Sequence, residues 1–95
     1  MIDHLVFVAV RENAAPEDVD DLVSSIRGLK DAVPSVVDLT VGENFSERSG
    51  GYTHGIFVRF ESREGLREYM VHPNHLAVVE KLDALTSRIV VDFEF

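Results

Sequence analysis

The sequence predicts an α+β domain with the order β-α-β-β-α-β, the split βαβ or ferredoxin-like arrangement of an antiparallel sheet with helices on one face. Three observations predict it. Short β-branched runs alternate with helical stripes. A proline interrupts the second helical region. The first and last strands are apolar on both faces.

The first strand, Asp3 to Arg11, is rich in Val and Phe and closes in a polar turn. Pro16 suits the first turn of a helix, with Glu17 and Asp18 at its positive end. Val19, Leu22, Val23, Ile26 and Leu29 recur at helical spacing, and Pro34 ends the helix. A second strand runs from about Val36 to Glu43, a glycine-containing loop covers Asn44 to Gly51, and a third strand covers Tyr52 to Glu61. Ser62 is a candidate N-cap for a short helix carrying Leu66, Tyr69 and Met70. Pro73 breaks that helix and begins another, with Leu76, Val79 and Leu82 as its expected inner stripe and His75 on the same face. The last strand spans Arg88 to Phe95.

With 95 residues the chain is one domain, 1–95, short enough that association commonly adds stability. Cysteine is absent, which removes disulfides and thiolate metal sites and suits a reducing, cytoplasmic setting. The net charge of −8 disfavours nucleic acid and anionic membranes as partners. The first apolar run is too short and too quickly charged for a leader or a membrane span.

Helices cover one sheet face only. His4, Val6, Val8 and Val10 alternate with Leu5, Phe7 and Ala9, and Ile89, Val91, Phe93 and Phe95 alternate with Val90. The uncovered face is therefore apolar, and a second copy packed sheet to sheet is its expected cover, with a hydrophobic ligand groove or edge residues shielded by loops as the alternative.

Four histidines remain. His4 and His54 share strand faces with Val6 and Ile56 and are expected to point toward the helices. His72 precedes Pro73, is expected to be extended, and serves the backbone at the break. His75 and Tyr69 are expected to converge beneath the break. An imidazole titrates near neutrality and can move a proton from an acidic C–H, while a phenol can donate to a developing oxyanion. A mostly apolar pocket with these groups suits a small organic ligand. The same residues also have a purely structural reading, as hydrogen-bonded members of the core. No HExxH or phosphate-loop pattern is present, and the reading calls for neither metal nor cofactor.

HLVFVAVRENA, GYTHGIFVRFES and YMVHPNH, in that order across the chain, resemble the stress-responsive dimeric A/B-barrel domain family. The resemblance implies a ferredoxin-like protomer whose sheet closes a barrel with that of a second copy. A polyketide cyclase of that family performs an aldol-type ring closure without a cofactor. Its motif implies His75 as general base and Tyr69 as the group polarising a substrate carbonyl. It also implies His4 and His54, with Val23, Ile26 and Ile56, as pocket residues. Ile26 stands where that enzyme has tyrosine and Val23 where it has phenylalanine, so this pocket has its own shape.

Overall fold

The strands β1 (Ile2–Val10), β2 (Asp38–Glu43), β3 (His54–Phe60) and β4 (Thr86–Glu94) form one antiparallel sheet of order β2-β3-β1-β4 in a computed structural model describing all 95 residues. Three helices accompany it: α1 (Pro16–Ala32), α2 (Arg63–Val71) and α3 (Pro73–Leu85). The ferredoxin-like α+β order is the predicted one.

Each helix forms where local chemistry favours it. Pro16 opens α1, Glu17 and Asp18 occupy its first turn, and Leu22, Ile26 and Leu29 are its buried stripe. Ser62 caps α2 by accepting a hydrogen bond from the Gly65 N–H at 3.2 Å. The loop before β3 turns through Gly50 and Gly51, whose φ values of 63° and 89° favour glycine.

Register sets what faces the helices. On β1, His4, Val6 and Val8 lie opposite Val58, Ile56 and His54 of β3. The same three residues lie opposite Asp92, Val90 and Arg88 of β4. Val6, Val8, Ile56, Val58 and Phe60 join Leu22, Ile26, Leu29, Tyr69, Val78 and Leu82 in a single core. Val58 and Phe60 are completely buried.

The opposite sheet face carries Leu5, Phe7, Phe57, Ile89, Val91 and Phe93 in facing register. No helix packs there, and Phe7, Ile89, Val91 and Phe93 each keep between 42% and 47% of their surface exposed. The uncovered apolar face deduced from the two-faced strands is therefore present. It is interrupted by the ion pair of Asp3 with Arg59, and Asp38 of β2 lies opposite Arg59 on the other side.

Several boundaries and one stripe differ from expectation. The second strand begins at Asp38 and the third at His54, each two residues late; the fourth begins at Thr86, two residues early. Thr86 is buried, and its hydroxyl donates to the Leu82 carbonyl at 2.7 Å, so one β-branched residue ends α3 and starts β4. The inner stripe of α3 is His75, Val78 and Leu82, while Leu76 is half exposed and Val79 only partly covered. Steps of three alone, as from 76 to 79 to 82, slide around a helix of 3.6 residues per turn; the mixed spacing 75, 78, 82 holds one face.

Candidate functional site

The helix break builds the site. His72, at φ −66° and ψ 136°, is extended before Pro73, which starts α3. The His72 Nδ1 accepts the Asn74 N–H at 3.1 Å, so this histidine is the cap that lets α3 begin. It serves the backbone, as its position before proline suggested. The turn swings the start of α3 back over the end of α2. The Tyr69 and His75 rings then meet in a tilted contact, with centroids 4.2 Å apart and planes 43° from parallel.

Tyr69 is the hub of an aromatic cluster. Its ring lies 5.1 Å from Phe60 and meets His4 edge-on at 5.9 Å. His4 enters from the centre of the sheet and Tyr69 and His75 from the helices, and all three are at most 6% exposed. On the strand beside His4, Asp92 accepts a hydrogen bond from the His4 Nδ1–H.

Hydrogen bonds fix the ring tautomers. A carboxylate and a carbonyl only accept, so His4 Nδ1 carries its proton toward Asp92 and His75 Nδ1 carries its proton toward the Met70 carbonyl, at 3.2 Å. An imidazole bonded this way presents a bare lone pair at Nε2 when it is neutral. The Nε2 atoms of His4 and His75 and the Tyr69 hydroxyl have no partner within the chain. Yet no fully sealed side-chain nitrogen or oxygen lacks one, so these three polar tips each keep a trace of exposure although their rings are buried.

Burial also sets their charge. Desolvation pushes the His75 pKa below 6.5, outweighing the Met70 carbonyl that raises it, so the ring is neutral at neutral pH. Desolvation pushes the Tyr69 phenol far up, which keeps its proton in place. A neutral base stacked on a protonated donor is an arrangement able to take a proton from carbon and stabilise the oxygen that gains charge.

One cleft lies beside the cluster and a second lies toward the other end of β1 and β3. The first, of about 320 Å³, opens between α2 and the end of β4 and is lined by Ile2, Leu66, Arg67 and Asp92 among others. It reaches the carboxylate that holds His4. The second is an apolar slot between α1 and the sheet, walled by Val23, Ile26, Ile56 and His54, with only about 10 Å³ free. That volume holds about one water. Tyr69 and His75 line neither cleft.

The residues singled out in the sequence thus fall into two groups. His4, Tyr69 and His75 come together. His54 lies opposite Val8, four residues along β1 from His4, which is about 13 Å of strand. It sits with Val23, Ile26 and Ile56 at the apolar slot, its Nδ1 sharing a hydrogen bond with the Thr53 hydroxyl at 2.8 Å. No three His, Asp or Glu side chains are grouped closely enough to hold a metal ion. The residue that sequence reasoning missed is Asp92. Its only signal was a lone carboxylate alternating with Val91 and Phe93 in an apolar strand.

Comparison with known proteins agrees with this architecture. The family model described as the stress responsive A/B barrel domain matches residues 2–95. The chain is 25% identical over 96 residues to the stress-response A/B barrel domain-containing protein HS1 of Arabidopsis thaliana, covering 98% of this chain and 88% of that protein. It is 25% identical over 77 residues to olivetolic acid cyclase of Cannabis sativa, covering 79% of this chain and 76% of that enzyme. Among solved structures, a dimeric ferredoxin-like protein of unknown function from Jannaschia sp. CCS1 superposes with a TM-score of 0.86 at 26% identity, covering 99% of this chain and 98% of that one.

Proposed function

From the premise that this chain belongs to the stress responsive A/B barrel domain family, we propose that it is a homodimeric α+β-barrel protein of the cytoplasm, binding a small organic ligand at the Tyr69–His75–His4 cluster. The observation that carries the ligand site is the set of buried rings whose polar tips, His4 Nε2, His75 Nε2 and Tyr69 Oη, find no partner in the chain yet reach solvent. A ligand bearing carbonyl or hydroxyl oxygens would satisfy them. The apolar wall of Val23, Ile26 and Ile56 supplies space for an alkyl portion only if α1 shifts outward, because the slot is nearly filled.

The dimer reading is supported by the uncovered apolar sheet face and by the Jannaschia sp. CCS1 relative described as dimeric. Sedimentation at micromolar concentration tests it, and a monomer there would remove it.

A second reading makes the same site catalytic, as in a cofactor-independent polyketide cyclase. It is favoured by the neutral His75 stacked on the protonated Tyr69 and by the similarity to olivetolic acid cyclase. His75 Nε2 would take a proton from the acidic carbon between two carbonyls. The resulting enolate carbon would attack a distant ketone carbon, forming the ring bond. Tyr69 Oη–H would donate to the oxygen gaining charge, and the imidazolium would return its proton to that oxygen. Turnover of a linear poly-β-keto thioester by wild type and His75→Ala tests this step. Equal rates would take His75 out of the mechanism.

A further inference from the structure

On the open sheet face, the central strands β1 and β3 present Asp3, Leu5, Phe7 and Ala9 beside Gly55, Phe57 and Arg59. Asp3 and Arg59 are the only charged residues in that set, and they sit directly opposite each other. Their contact is bidentate: Arg59 Nε donates to Asp3 Oδ1 at 2.7 Å and Nη2 to Oδ2 at 3.0 Å. The guanidinium also lies 5.2 Å from the Phe57 ring centroid and 5.1 Å from that of Phe95. Only 10% of the Asp3 side chain is exposed, although no helix covers it.

A strand pattern built only for an apolar contact would place hydrophobic residues at both positions. With the Arg59 side chain 36% exposed, such a pair adds little to the stability of a lone chain. Under an apolar cover the balance changes. An intact bidentate pair is neutral as a unit and tolerates desolvation, whereas either charge alone is strongly disfavoured there. Such a pair therefore penalises any arrangement that separates its members, and this is the best-attested use of polar groups in apolar interfaces.

We infer that Asp3 and Arg59 form a clasp on the central strands that fixes how two copies of this chain close sheet to sheet. The inference rests on the dimer reading above. The occupant is a second copy because the surrounding Leu5, Phe7, Ile89, Val91 and Phe93 form one continuous apolar face, and the Jannaschia sp. CCS1 relative that shares the fold is described as dimeric.

Sedimentation of wild type, Arg59→Met and the double variant Asp3→Asn/Arg59→Met tests the clasp, with circular dichroism confirming each fold. Arg59→Met keeps the apolar stem over Phe57 and Phe95 but strands the Asp3 carboxylate, so dimer dissociation should become at least 100-fold easier. Removing the stranded charge in the double variant should recover at least tenfold of that loss. A dimeric wild type with an equally tight Arg59→Met dimer would overturn the clasp and leave the dimer reading standing. So would a double variant no tighter than the single one, because the loss would then belong to stacking. A monomeric wild type would overturn both. Should Arg59→Met not fold, Arg59→Lys carries the test, since lysine keeps the charge without the fork. About tenfold weakening is expected, and wild-type affinity would refute the clasp.

Discussion

Replacing Tyr69 by Phe removes one oxygen and leaves a ring of the same outline against Phe60, His4 and His75. A typical intramolecular hydrogen bond contributes about 1 kcal/mol, and a buried group left stranded costs about 1–3 kcal/mol. Neither term applies here, because the Tyr69 hydroxyl has no partner within the chain to lose or strand. Stability should therefore change by less than about 0.5 kcal/mol, as for a substitution that touches no specific feature.

Function should respond quite differently. If the hydroxyl only anchors a bound oxygen, losing about 1–1.5 kcal/mol weakens ligand affinity roughly tenfold. If it stabilises charge as an oxyanion donor, turnover falls by about 10²–10³. Urea unfolding of both proteins at one fixed concentration gives the first quantity, since an associating chain has concentration-dependent stability. Turnover or binding of a poly-β-keto thioester gives the second. A loss of 2 kcal/mol or more in stability would show that the hydroxyl is structural. Unchanged binding and turnover would show that it faces no ligand. Either result refutes the site as read.

Three further outcomes follow from the same geometry. Burial holds the His75 pKa below 6.5, so the unfolded chain takes up its proton first as pH falls; wild type should lose stability below about pH 6.5, levelling off beneath the depressed folded value. His75→Gln should show a shallower fall in urea unfolding compared at pH 7.5, 6 and 5. Asp92→Ala removes the acceptor for His4 Nδ1–H, so the ¹⁵N resonances of His4 should report mixed tautomers while those of His75 stay put. Phe60→Ala empties a completely buried site against Tyr69 and should cost about 3–5 kcal/mol in urea unfolding, with loss of the Tyr69–His75 stacking as a consequence.

What could be read from the sequence was what depends on near neighbours. Pro73 announced the helix break, and its effect on His72 and the inward turn of His75 follow from local backbone rules. The two-faced apolar strands announced the open sheet face without any tertiary knowledge. Leu76 was misplaced because apolar residues three apart mimic a stripe that the 3.6-residue turn does not sustain. Asp92 and the Asp3–Arg59 pair were illegible for a different reason. Each acquires meaning only from strand register, which brings together positions separated by 88 and 56 residues. The separation of His54 from His4 needs no such register, because the antiparallel order of β1 and β3 alone sets the two histidines toward opposite ends of the pair.

Register also ties the two proposals together. β1 points His4 toward the helices and Leu5 and Phe7 away from them, and β4 points Asp92 inward between Val91 and Phe93, which point outward. The strands that hold the imidazole and its carboxylate are therefore the strands that a second copy would cover. β4 is an edge strand in the lone chain and has only β1 as its sheet neighbour. Edge strands open at low free energy, and an opening of β4 would release Asp92 from His4. Covering Val91 and Phe93 raises the free energy of that opening by the apolar area removed from water. On this account a pairing of protomers would do more than stabilise a small domain. It would hold the His4–Asp92 contact closed, so a variant that dissociates the dimer should also disorder the His4 tautomer, even though its substitution lies on the opposite face of the sheet.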